Sequence, residues 1–229
     1  MNGAGQKKET IALVLLAAGG STRMGEQKLL KRLCGKSVVR RAAETALASL
    51  AGPVVAVTGC DRERVSAELA DLPVTQVFNP RWQEGQGISA ACGVSALAAC
   101  DAVILMVADQ PFLKPEHLNR LIAEWEEAKK AGPCPIVASA LGETRGNPAL
   151  FDAALLPELR QMTGDRGARQ LFSLYPVRTV EQEEERFFFD LDTGAAFAEA
   201  EEEFLLRGEA KSCFPLLRSQ EGSGPKDGF

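Results

Sequence analysis

Six or seven apolar residues in a row, IALVLLA from Ile11, break directly into Ala18, Gly19 and Gly20 and then into STRMGEQKLL. Such a run is too short to cross a bilayer and the right length for a buried strand. A buried strand that opens into a glycine-rich turn leaves backbone N–H groups unpaired at the carboxyl end of a sheet. That setting suits a polyphosphate, because free amides and nearby cations both favour oxyanions. Arg23 and Lys28 place two positive charges on the same short loop, and an arginine grips phosphate oxygens in pairs. The same residues also read as an ordinary surface turn with two solvated cations, and the strand and turn alone do not separate the two. Two stock motifs are excluded by letter. Gly20 and Gly25 have P-loop spacing, but Glu26 stands where that motif needs lysine; the G-x-G-x-x-A from Gly85 to Ala90 follows residues 79–84, which are not a strand.

The 229 residues suit one α/β domain, expected over residues 11–207, with a loose polar N-terminus (1–10) and a C-terminal tail (208–229) to which no role is assigned. A net charge of −5 argues against nucleic acid as a bulk partner, yet one nucleotide needs only a few local cations. The six cysteines show no C-x-x-C spacing, and neither a secretory signal nor a long apolar span is present. A reduced cytoplasmic protein without disulfides, without a cysteine metal site and without a membrane partner is the expectation.

Strands and helices alternate along the chain. Helices are expected over 36–51 (stopped by Gly52-Pro53), around Arg64 to Leu69 with Asp61 as its cap, over 89–99 and over 115–131. Strands are expected at 54–57, 74–78, 102–108, 136–140 and 187–189. This order implies a mostly parallel sheet with helices on both faces, a three-layer Rossmann-like architecture.

Several stretches carry candidate chemistry. In residues 79–89, Gly85 and Gly87 would let the backbone approach a ligand, with Ser89 donating from the amino end of the next helix. Asp109 follows the most apolar strand, at the crevice where open α/β sheets bind ligands, and one carboxylate there anchors a metal–triphosphate complex. Alternation along an extended chain puts Asp190 and Asp192 on one side. Asp165 is a candidate helix cap, Arg166 and Arg169 either meet an anion or pair with the 181–185 acidic run, and that run itself reads as solvated. His117, the only histidine, reads as solvent-facing.

Leu16 to Leu30, L-A-A-G-G-S-T-R-M-G-x-x-K-L-L, resembles the signature loop of the nucleotidyltransferases that act on the molybdenum cofactor, and is most similar to their cytidylyltransferase branch. N-P-x-W-x-x-G-x-G-x-S from Asn79, D-Q-P from Asp109, R-G-N-P-A-L-F from Arg145, the Gly164–Arg169 stretch and D-x-D-T from Asp190 follow in that family's order. The resemblance implies a nucleotidyltransferase fold and a nucleotide site of Leu16, Ala17, Ala18, Gly19, Gly20, Ser21, Arg23, Lys28, Gly85, Gly87, Ser89 and Asp109. It further implies a pterin side at Gly146, Asn147, Pro148, Asp165, Arg166 and Arg169. Mg²⁺, with Mn²⁺ as substitute, would sit on Asp109 and on Asp192, with Asp190 the second choice. Arg23, Lys28 and Asp109 would be the catalytic groups, joining CMP from CTP to the terminal phosphate of molybdopterin. A molybdenum hydroxylase or its maturation factor would be the protein partner. Ala17-Ala18-Gly19 favours cytidine over guanosine, since a side chain in place of glycine narrows the pocket. The chain departs from the family's T-P-E-D after Asp192, having Thr193-Gly194-Ala195-Ala196, which weakens the expected helix start. The alternatives left open are GTP as donor, a sugar or alcohol phosphate as acceptor, and a cofactor carrier without turnover.

Overall fold

The computed structural model describes residues 9–20 and 27–207. Its strands are β1 (Ile11–Ala17), β2 (Arg32–Leu33), β3 (Lys36–Ser37), β4 (Val54–Thr58), β5 (Thr75–Phe78), β6 (Ala102–Val107), β7 (Ile136–Leu141), β8 (Thr144–Asp152) and β9 (Val177–Glu181). The helices are α1 (Val38–Leu47), α2 (Arg62–Glu68), α3 (Gln86–Ser95), α4 (Pro115–Ala131), α5 (Leu156–Arg160) and α6 (Gly194–Leu206). Seven strands form one sheet in the order β5-β4-β1-β6-β8-β7-β9, and β2 and β3 pair separately. All pairs in the large sheet are parallel except those that β8 makes with β6 and β7.

Alternation along β1 divides the core into two layers, as a period of two must. Leu13, Leu15 and Ala17 join Val38 and Ala42 of α1, Leu118, Leu121 and Trp125 of α4, and Phe197 and Phe204 of α6. Ala12 and Val14 face the other way, onto Ala90 and Val94 of α3 and Leu156 and Leu159 of α5. Gly93 of α3 is forced by this packing: a Cβ there would lie 2.4 Å from Val14 Cγ1. The central strands β1 and β6 pair through Leu16 and Val107, and the Ala108 amide donates to the Leu16 carbonyl (3.2 Å). Residues 18–20 and 108–110 therefore leave the sheet side by side, which opens a crevice at the strands' carboxyl ends.

The structure corrects several local expectations. The first helix begins at Val38 rather than residue 36, because Lys36 and Ser37 pair with β2 and Ser37 Oγ then accepts from the Arg40 amide as cap. Asp61 precedes α2 in a left-handed conformation (φ 52°) and makes no cap bond; its carboxylate accepts from Arg64 instead. The third helix starts at Gln86, which puts Gly87 and Ser89 inside its first turn. The run 187–189 is not a strand: Glu185–Phe188 is a 3-10 turn, and the outer strand is β9, which the sequence reading passed over. Asp165 caps nothing, since the 3-10 helix Gly167–Ser173 follows Arg166 without a side-chain cap. Thr193 does start α6 firmly, its Oγ1 accepting from the Ala196 amide (3.1 Å), so the missing Pro-Glu pair leaves the helix start intact. The hairpin turn Gly142–Glu143 joins β7 to β8, so the R-G-N-P-A-L-F stretch lies within a strand.

His117 is also not solvent-facing. It is 6% exposed, its Nδ1 accepts from the Lys114 amide (2.8 Å), and its ring lies 3.9 Å from that of Phe187. Burial, and next the Arg120 charge, lower its pKa from 6.5. The folded state thus binds this proton less readily than the unfolded chain, so stability is full above about pH 6.5 and declines as the pH falls below it. His117→Asn, which keeps an acceptor for the Lys114 amide, should flatten the fall in melting temperature between pH 7 and pH 5. An unchanged slope would assign that loss to other groups.

Candidate active site

Three elements far apart in sequence meet at the crevice. The 3-10 turn Lys28–Leu30 carries Lys28; Asp109 directly follows β6; Asp192 precedes α6. Lys28 Nζ donates to Asp109 Oδ2 (2.6 Å) and to Asp192 Oδ1 (2.8 Å). Burial opposes the ammonium's charge, but Asp109 and Asp192 outweigh it and hold the Lys28 pKa above 10.5. Asp190 turns aside, its Oδ1 accepting from Gln110 Nε2 (3.0 Å). Burial, and then the Asp109 charge, push its carboxyl up. The Leu191 amide donates to the Asp109 carbonyl (3.1 Å), which ties the two acidic segments together.

Two cavities adjoin this cluster. The first, about 390 Å³, is lined by Leu16, Ala18, Gly19, Gly20, Lys28 and Ser89 among others, with Trp82 and Gln83 on the 79–89 side. The second, about 550 Å³, is lined by Gln110, Asn147, Arg166, Arg169, Gln170 and Asp190 among others. Gln86, Val107, Asp109, Asp165 and Asp192 belong to both. Asp109 therefore stands in the wall that two bound molecules would share.

Most of the expected nucleotide-side residues line the first cavity, with exceptions. Ala17 is fully buried in the core and reaches no cavity. Gly87 does not face a ligand; its amide donates to the Gly164 carbonyl (2.8 Å), and a Cβ would lie 2.6 Å from the Thr163 carbonyl oxygen. Ser89 does line the first cavity, but it is only 4% exposed and its Oγ already accepts from Asn79 Nδ2 (3.0 Å). Ser21 and Arg23 lie outside the described residues. On the other side, Asn147, Asp165, Arg166 and Arg169 line the second cavity, and neither arginine pairs with the 181–185 acids among the described residues. Pro148 is buried in β8, its carbonyl accepting from Ser139 Oγ (2.9 Å), while Gly146 packs under Phe188 and lines only a cavity of about 10 Å³. Trp82, Gln83, Gln86 and Gln110 were missed as individual residues; Trp82 and Gln110 sit inside the quoted N-P-x-W and D-Q-P motifs.

Gly85 joins the two sides. Its φ is +116°, and a Cβ would lie 2.5 Å from the Gly164 carbonyl carbon. Neither the backbone angle nor the neighbouring backbone can give way cheaply, so Gly85→Ala should cost roughly 1–3 kcal/mol and loosen the contact between residues 85 and 164. A lowered melting temperature together with weaker nucleotide binding is the expected result; a variant as stable as the parent would contradict this reading of the turn.

The carboxylate oxygens of Asp109 and Asp192 suit a hard divalent cation, and Mg²⁺ needs only one or two of them when phosphate and water fill its other positions. Asp190 raises the local negative charge further. Among the described residues no group of three or more His, Cys, Asp or Glu side chains is arranged around one point. Lys28 instead bridges Asp109 and Asp192, and Gln110 holds Asp190. No helix among the described residues is long and apolar enough to cross a membrane.

A mostly parallel seven-stranded sheet with this crevice defines an α/β nucleotidyltransferase fold. The chain belongs to the MobA-like NTP transferase domain family, which matches residues 13–183. It is 34% identical over 169 residues to "Purine catabolism protein PucB" of Bacillus subtilis, covering 69% of this chain and 78% of that one. It is 31% identical over 185 residues to "Nicotine blue oxidoreductase" of Paenarthrobacter nicotinovorans, covering 79% and 91%. Molybdopterin-guanine dinucleotide biosynthesis protein A from Archaeoglobus fulgidus has the same fold, with a TM-score of 0.64 at 21% identity, covering 85% of this chain and 99% of that one.

Proposed function

We propose that this enzyme transfers CMP from CTP to the terminal phosphate of the molybdopterin form of the molybdenum cofactor, releasing pyrophosphate. The observation that supports the reading is that Asp109 and Asp192, bridged by Lys28 from the first cavity, line both of two adjoining cavities. The first cavity would take the nucleotide, with Ala18 and Trp82 against the base and Lys28 toward the phosphates. The second would take the pterin, with Arg166 and Arg169 meeting its phosphate. That phosphate is already an anionic nucleophile, so no general base is needed; positioning and charge neutralisation suffice. Asp109 with Asp192, or Asp190, would hold Mg²⁺ or Mn²⁺, which supplies neutralisation of charge on the α-phosphate.

Pyrophosphate release from CTP, dependent on purified cofactor, tests the reading. Release only with a sugar phosphate, cofactor binding without turnover, or oxidoreductase activity without pyrophosphate would each refute it. Ala18 is 4% exposed and lines the nucleotide cavity. Ala18→Gly removes one methyl group there and should raise GTP use relative to CTP about tenfold. Kinetics with both nucleotides measure this; an unchanged ratio would take Ala18 out of base selection.

A further inference from the structure

Five residues belong to the walls of both large cavities: Gln86, Val107, Asp109, Asp165 and Asp192. A phosphoryl group passing between two bound molecules has to sit against this shared wall, where three of the five side chains are carboxylates. Oxyanions held there need hydrogen-bond donors, because unrelieved like charge in a partly dry site is costly. Lys28 lines the first cavity but not the second, and Arg166 and Arg169 stand on the second side. Of the five shared residues Gln86 alone carries a side-chain N–H.

Its backbone is fixed while its amide is left over. Gln86 opens α3, and the Gly87 amide beside it donates to the Gly164 carbonyl (2.8 Å), which pins the helix start against the second cavity's segment. The Gln86 side chain runs along Gly167, whose φ is +52°: a Cβ there would lie 2.8 Å from Oε1 and 3.5 Å from Cδ and Cγ, so Nε2 is the amide atom farther from that wall. The residue is half-buried, and its carboxamide makes no hydrogen bond among the described residues. Among those residues the sealed side-chain polar atoms that lack a partner belong to Arg41, Gln110, Gln182 and Arg186, so the Gln86 amide is open to the cavities. Gln110 differs on both counts, its Nε2 spent on Asp190 and its Oε1 sealed in.

We propose that Gln86 is a further catalytic residue of the nucleotidyl transfer, its Nε2 donating to a non-bridging oxygen of the α-phosphoryl group as that group changes hands. An oxygen of the acceptor's phosphate bonds to the α-phosphorus, the bond from that phosphorus to the bridging oxygen breaks, and pyrophosphate departs with the electron pair. A neutral amide suits this position, because a cation there would compete with Lys28 for Asp109 and Asp192. The inference rests on donor and acceptor meeting at the shared wall, as in the proposed reaction, and not on the identity of either.

Steady-state kinetics and nucleotide-binding calorimetry on the full-length parent, Gln86→Met and Gln86→Glu test this, with the nucleotide and phosphorylated acceptor that the parent turns over. Gln86→Met keeps the side chain's length and removes the donor. It should lower kcat roughly 10–100-fold, with nucleotide affinity within about twofold of the parent's and an unchanged melting temperature. Gln86→Glu, which adds a fourth carboxylate to the wall, should lose more kcat than Gln86→Met and weaken nucleotide binding as well. An unchanged kcat in Gln86→Met, a loss confined to KM, or a loss matched by a fall in melting temperature would overturn the inference. Turnover of a pair other than CTP and the cofactor, with the Gln86→Met loss preserved, would refute the proposed reaction and keep the role of Gln86. A parent that releases no pyrophosphate with any such pair would overturn both.

Discussion

Asp109→Ala is expected to lower turnover on the order of 10²–10³-fold while leaving the molecule folded. The carboxylate follows the central strand β6 and lies in the wall common to both large cavities. Nothing else among the described residues can take its place there: Asp192 comes from another segment, and Asp190 is engaged by Gln110. Stability should change little. Lys28 keeps Asp192, and the Asp109 side chain is 22% exposed, so the loss of one ion pair is offset partly by relief of repulsion. That relief has its own signature. Asp109 is, after burial, what holds the Asp190 carboxyl high, so its removal should let the Asp190 pKa fall toward 3.8. Carboxylate NMR titration of parent and variant measures this shift. Full turnover in Asp109→Ala would remove the residue from the mechanism.

Lys28→Met should be as damaging to turnover and more damaging to the free protein. Three carboxylates, Asp109, Asp190 and Asp192, would then share the crevice without the ammonium that bridges two of them. Removing one partner of a buried pair costs about 3–5 kcal/mol, but Asp192 is 47% exposed and water relieves part of the repulsion, so about 1–3 kcal/mol is expected. The pairing is insensitive to pH in the ordinary range. A lysine pKa raised above 10.5 contributes stability that is fully present below that value and lost only as the pH rises through the folded pKa. The variant should also answer more strongly to divalent metal than the parent, because a cation would then quench the repulsion Lys28 now quenches. Thermal melts with and without Mg²⁺ decide this: an equal metal response in both proteins would mean Lys28 and the metal do not share the same carboxylates.

The sheet and one end of the site were legible because their signals are local. The apolar runs that became β1, β4 and β6 are buried on both faces, and Pro115 with Gly132 framed α4 to the residue. Asp109 could be placed because a polar residue after the most apolar strand must emerge at the crevice. What failed depended on distant partners. The Lys28 bridge spans 81 and 164 positions in sequence, so the lysine read as a phosphate ligand and not also as counter-ion to the acids. His117 looked polar among its neighbours in sequence, yet Phe187 covers it from far down the chain. β9 was hidden because its burial pattern is mostly exposed, while the richer apolar run 187–189 is spent packing on His117 of α4 and on Phe112. Gly87 misled because its contact, the turn at 163–164, is as remote as a ligand would be.

The most direct test is a crystal structure with Mg²⁺ and a CTP analogue that cannot be cleaved at the α–β bridge. The account predicts a triphosphate with Lys28 Nζ within hydrogen-bonding reach and a metal joining its oxygens to Asp109 and to Asp192 or Asp190. A nucleotide seated elsewhere, with Lys28 still closed on its two carboxylates, would contradict it.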